Sequence, residues 1–131
     1  MSKEENKAAD TKNFKVSEFT CKCGCEMNKT DQRLIDMCQK IRDELGVPVR
    51  VNSGCRCREH NAQVGGVPNS QHMYGYAADL SCSLGAAKMY ETVKAMHARG
   101  ELPDLRYCKK YKSWIHIDCG KVRNKIFDVG K

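Results

Sequence analysis

The sequence predicts a small α+β domain, an antiparallel sheet with helices packed on one of its faces. Three observations carry this. Apolar residues recur at helical spacing in two separate segments, short alternating runs between and after them read as strands, and 131 residues with 40% hydrophobic and 30% charged side chains suit one modest core.

The elements follow in order. Residues 1–13 are polar, lack apolar periodicity and are expected to form a flexible tail, with the ordered domain spanning 14–131. FKVSEFTCKCGCEMN reads as loop with a short helical turn. In TDQRLIDMCQKIRDELG, Leu34, Ile35, Cys38, Ile41 and Leu45 share one helical face. Thr30 or Asp31 can cap its start, and Gly46 suits the left-handed position after its end. VPVRVNS is a strand with Val47, Val49 and Val51 on one face. A long Gly-, Asn- and Ser-rich segment, 54–76, follows, with a short helix expected at 58–64; a loop of that length in a small domain is usually functional. AADLSC is a second strand, LGAAKMYETVKAMHARG a second helix closed by Gly100, and LRYC and SWIHIDC two further strands. KVRNKIFDVGK is expected to be loop with a final turn.

Formal net charge is +7, which favours an anionic partner such as a cell-wall polymer. The Lys and Arg residues are spread along the chain, densest at Lys109, Lys110 and Lys112, so no nucleic-acid interface is expected. No apolar run approaches the roughly 18 residues of a membrane span, so membrane insertion is not expected either. The polar N-terminus shows no secretory signal pattern. Synthesis in the cytoplasm is therefore expected, and the chain is expected to act as a monomer.

Nine cysteines are present. Cys21-Lys22-Cys23-Gly24-Cys25 and Cys55-Arg56-Cys57 admit three readings: a structural zinc, a disulfide between the two loops, or free and buried thiols. The paired Cys-x-x-Cys knuckle is absent and a reducing compartment disfavours disulfides, so thiols are the expectation.

The chemistry concentrates elsewhere. His72 lies in the long loop and Asp79 seven residues later in a strand. In Trp114-Ile115-His116-Ile117-Asp118, alternation puts His116 and Asp118 on one face and the isoleucines on the other. Two imidazoles and a carboxylate make a zinc set that leaves a fourth position open, as in catalytic sites. Such an ion activates water and polarises a carbonyl, and Asp118 is near enough to take a proton or to orient a ligand imidazole.

These residues sit in a longer string. FKVSEFTC, VNSGCRCREHNAQVGGVPNSQHMYGYAADL and WIHID together resemble the M15 peptidases, the family of zinc D-Ala-D-Ala carboxypeptidases and L-Ala-D-Glu-type cell-wall endopeptidases, in its small single-domain phage and bacterial branch. The resemblance runs from Phe14 to about Gly120. It implies a fold shared with hedgehog signalling domains, and one zinc ion held by His72, Asp79 and His116. It also implies a peptidoglycan stem-peptide substrate whose terminal carboxylate is gripped by Arg56; the plainer reading of Arg56 is a loop-stabilising salt bridge. Ser70 either contacts substrate or pins the loop. Relatives place an acid three residues, or a His two residues, before the last ligand, where this chain has Ser113 and Trp114. The catalytic base therefore falls to Asp118 by proximity, and Tyr107 or Tyr111 can be asked to stabilise an oxyanion. A wall enzyme made in the cytoplasm is expected to be released by a holin or carried on a virion, as a phage or prophage lysin. The alternative is a zinc-bearing wall-binding module without activity; a cysteine-rich metal or nucleic-acid binder is a third.

Overall fold

The longest helix shows how local sequence sets the frame. In the computed structural model, which describes residues 8–67 and 69–130, α1 spans Gln32–Leu45. The Asp31 carboxylate caps it by accepting from the Arg33 amide at 2.9 Å, and Gly46 closes it at φ 70°. Leu34, Ile35, Met37, Cys38 and Ile41 are its buried face. Residues 9–13, within the stretch expected to be a tail, are tied to this helix: the Ala9 amide donates to Gln32 and the Asn13 amide to Gln39. Residues 1–7 lie outside the described residues.

After α1 come β1 (Val49–Ser53), the short α2 (Arg58–Gln63), a 3-10 turn (Gln71–Tyr74) and β2 (Ala77–Cys82). Then follow α3 (Ala86–Ala98), β3 (Tyr107–Lys110), β4 (Ile115–Asp118) and β5 (Phe127–Val129). The strand order is β1-β2-β4-β3-β5. The first four strands pair antiparallel, as expected, but β5 pairs parallel to β3. The sheet is therefore mixed, and the C-terminal segment expected to be loop adds an edge strand. Its tie is backbone hydrogen bonding, from the Cys108 amide to the Ile126 carbonyl at 2.7 Å and from the Gly130 amide to the Lys110 carbonyl at 2.6 Å. Three residues are too few for a period to register in sequence.

Ala78, Leu80, Cys108, Ile115 and Ile117 project from one sheet face into a core shared with α1 and α3. Alternation sends Asp79, His116 and Asp118 to the other face. There the register places Ser53 opposite Asp79, Asp79 opposite His116 and His116 opposite Lys109. One cross-strand row thus carries two of the expected metal ligands. The loop and 3-10 turn before β2 lie over this row and deliver the third. Gly75 makes that turn possible: its φ is 77°, and a Cβ there would lie 2.1 Å from the Lys29 carbonyl oxygen.

Candidate metal centre

His72 sits in the 3-10 turn capped by Ser70, whose Oγ accepts from the His72 amide at 3.2 Å. Ser70 is buried. Its observed partner is therefore the loop, although it also lines the cavity. Asp79 of β2 and His116 of β4 face each other across the strand pair. His72 Nε2 and His116 Nδ1 each lie 3.2 Å from Asp79 Oδ1, and the two imidazoles meet edge-on at 5.1 Å between centroids.

The outer contacts decide what these atoms present. His72 Nδ1 lies 2.7 Å from the Gly54 carbonyl oxygen. A carbonyl only accepts, so Nδ1 carries the hydrogen and Nε2 turns its lone pair toward Asp79. His116 Nε2 lies 2.8 Å from Asp118 Oδ2. An ionised carboxylate also only accepts, so Nδ1 turns its lone pair to the same Asp79 oxygen. Three electron pairs then converge with no hydrogen between them, an arrangement that a proton or a cation must stabilise. Tetrahedral zinc with ligands at about 2.0–2.2 Å separates them by roughly 3.3–3.6 Å. The observed 3.2 Å spacings fit that edge. Each ligand has an outer partner: Gly54 for His72, Asp118 for His116 and Arg56 for Asp79. This is the usual support of a metal site.

Burial raises the Asp79 pKa, but the facing His116 and His72 rings outweigh it and hold the carboxyl well below the usual range. Burial lowers the His116 pKa, but Asp118 and Asp79 outweigh that and raise it above an ordinary histidine's.

Arg56 is nearly buried beside the site, its side chain 12% exposed. Nε donates to Ser53 Oγ at 3.0 Å, Nη1 to Asn61 Oδ1 at 3.2 Å and Nη2 to Asp79 Oδ2 at 3.2 Å. Among the described residues, two of its five N–H groups have no partner. Gly66 leaves room for this cluster, since a Cβ there would lie 2.1 Å from Asn61 Oδ1 and 2.9 Å from Arg56 Nη1.

Asp118 is fully buried, and its Oδ1 has no hydrogen-bond partner among the described residues. Its Oδ2 lies on the ring nitrogen of His116 that faces away from Asp79, with Arg123 Nη2 at 3.8 Å. Tyr107 gives its hydroxyl to Asp128 and lies under the Arg123 guanidinium, 3.9 Å from its ring centroid. Burial, then Asp128, push the Tyr107 phenol up to about 12.

The three converging atoms open onto a cavity of about 280 Å³. Its walls include Val64, Val67, Tyr111 and Trp114, with Tyr111 and Trp114 stacked at 4.6 Å. Sequence reasoning named Tyr111 only as an oxyanion candidate and passed over Val64, Val67 and Trp114 as walls and the Gly54 carbonyl, which no spacing rule marks. Asp79 is the sole carboxylate among the described lining residues. A larger cavity of about 510 Å³ lies where α1 and α3 end, lined by Lys40, Glu44 and Glu101 among others. Among the described residues, no metal-ligating cluster opens there.

A 43-residue stretch is 51% identical to the zinc D-Ala-D-Ala carboxypeptidase of Streptomyces albus G, covering 32% of this chain and 17% of that protein. The chain thus matches less than a fifth of that relative's length. The sequence model of the family described as Peptidase M15 matches residues 12–118, which include the three candidate ligands and every residue around them from Ser53 to Asp118. The chain belongs to the M15 peptidase family.

Proposed function

We propose that this chain is a zinc peptidase that hydrolyses peptidoglycan stem peptides at a D-Ala-D-Ala or related bond. The observation that carries this reading is the convergence of His72 Nε2, Asp79 Oδ1 and His116 Nδ1 beneath an open cavity, each ligand held by its own outer partner. A zinc ion there supplies Lewis-acid polarisation of the scissile carbonyl and activation of water. The zinc carboxypeptidase named above, matched over part of its length, supports the substrate class.

The protein's own groups divide the remaining work. Arg56 holds Asp79 and keeps two N–H groups for a substrate carboxylate, so it both positions a ligand and recognises substrate. Ser70 pins the His72 backbone at the cavity wall. Exposed Val64 and Val67, with the stacked Tyr111 and Trp114, offer apolar walls suited to small methyl side chains. Asp118 is positioned as an orienter of His116; its burial behind the ring supports that role over proton acceptance. The positive charge, +7, suits an anionic wall. Release through a holin or on a virion, as a lysin, completes this reading, with the domain acting as a monomer.

The second reading is a zinc-bearing wall-binding module without turnover. It is favoured by the lack of any second carboxylate among the described cavity-lining residues. Turnover of purified peptidoglycan and of a short D-Ala-D-Ala peptide, with and without chelator, separates the two. Chelator-sensitive product release is expected; zinc binding with wall retention and no release would leave the module.

A further inference from the structure

The cysteine-rich loop holds a second set of ligand atoms. The Sγ atoms of Cys21, Cys23, Cys25 and Cys57 all lie within 4.8 Å of one another. Cys21 to Cys23 and Cys23 to Cys57 are each 3.5 Å apart. A disulfide needs about 2.05 Å, and all nine cysteines are unbonded. Tetrahedral zinc with Zn–S near 2.3 Å sets sulfurs roughly 3.8 Å apart. The cluster has the spacing of a metal site, not of a disulfide.

Its surroundings are those of thiolates. Backbone amides donate to three of the four sulfurs: Cys57 to Cys21 at 3.3 Å, His60 to Cys57 at 3.3 Å and Met27 to Cys25 at 3.4 Å. Such donors offset negative charge on sulfur. Lys22, Lys29, Arg56 and Arg58 flank the four in sequence. Cys21 is buried while Cys23 and Cys25 are exposed, which gives an ion a way in.

We propose that Cys21, Cys23, Cys25 and Cys57 bind a second zinc ion, closed to substrate and structural in role. Four protein ligands leave no open position, unlike the three at His72, Asp79 and His116. The ion fastens the loop at 21–25 to the residue that follows Arg56. That segment is already tied on both sides, by the Cys55 amide to the Phe19 carbonyl and the Arg56 amide to the His72 carbonyl. The second zinc thus anchors the N-terminal loop to the strand-end segment from which Arg56 reaches Asp79. Because the two sites share no ligand, this inference stands whether or not the chain is a peptidase.

The test is metal analysis and zinc-edge X-ray absorption on the full chain purified under reducing conditions. About two zinc ions per chain are expected, with a sulfur shell near 2.3 Å beside a nitrogen and oxygen shell near 2.0–2.2 Å. The His72→Ala/His116→Ala variant should lose one ion and keep the sulfur shell. The Cys23→Ser/Cys25→Ser variant changes only exposed loop positions, and should lose the sulfur shell, keep the other and melt at a lower temperature. Cobalt loading of the histidine variant should give thiolate-to-metal charge-transfer absorption. The wild-type spectrum decides even if neither variant folds. No sulfur around zinc in the wild type, a folded histidine variant free of zinc, or a disulfide among the four cysteines in a peptide map would each overturn the proposal.

Discussion

The Asp118 carboxylate sits 2.8 Å from His116 Nε2, on the side of the ring away from Asp79, with no solvent exposure. Its other oxygen lacks a hydrogen bond among the described residues. Keeping a half-satisfied carboxylate buried is costly, and the return is an imidazole locked with its Nδ1 lone pair aimed at the ligand cluster. Asp118→Asn removes the charge that holds this tautomer. Zinc affinity should fall about 10- to 100-fold, with activity falling in parallel at subsaturating metal. Competition against a fluorescent chelator measures it; unchanged affinity with lost turnover would instead make Asp118 the proton acceptor.

Arg56 binds three different side chains through three different nitrogens. Lysine cannot reproduce that fork. Arg56→Lys should raise KM for a D-Ala-ended peptide more than it lowers zinc content. Arg56→Ala leaves Asp79 Oδ2 and Asn61 Oδ1 without their donor and should cost about 3 kcal/mol of stability in the metal-free protein. Steady-state kinetics on the first variant and denaturant unfolding of the second check the two halves separately.

Zinc and protons compete for His116. Asp118 and Asp79 raise its pKa above the ordinary 6.5 against the opposing effect of burial. As pH falls, His116 therefore takes up its proton earlier than a free histidine does, and affinity at this site should begin to weaken above pH 6.5. Asp79, held low by the same histidines, does not compete in that range. Affinity measured across pH in the Cys23→Ser/Cys25→Ser variant isolates this site; a flat profile down through 6.5 would contradict the assignment.

The cap of α1 tests the frame and not the chemistry. Asp31 accepts from the Arg33 amide and pairs with the Arg33 guanidinium, both at 2.9 Å. The Arg33 side chain lowers the Asp31 pKa more than burial raises it. The pairing thus stabilises the fold above the pKa of an unfolded aspartate and is lost as pH drops through the lower folded value. Asp31→Ala should cost about 1 kcal/mol in urea unfolding near neutral pH and progressively less in acid.

Much of this protein is local and was legible in its sequence. The α1 face Leu34, Ile35, Cys38 and Ile41, its Asp31 and Gly46 ends, and the opposition of Ile115 and Ile117 to His116 and Asp118 follow from 3.6- and 2-residue periods. The candidate ligands His72, Asp79 and His116 were marked by the motif, and alternation marked the face of His116. What only the tertiary structure decided is contact between segments distant in sequence. Cys57 meets Cys23 across 34 positions, which neither Cys-x-Cys pair announces by itself. Arg56 reaches Asp79 across 23 positions, and the register that sets Asp79 against His116 comes from strand pairing. β5 joins parallel to β3 through backbone bonds that carry no side-chain pattern. Periodicity records which face of an element is apolar; which groups face each other across a gap depends on how loops close and sheets pair, and that is a property of the whole fold.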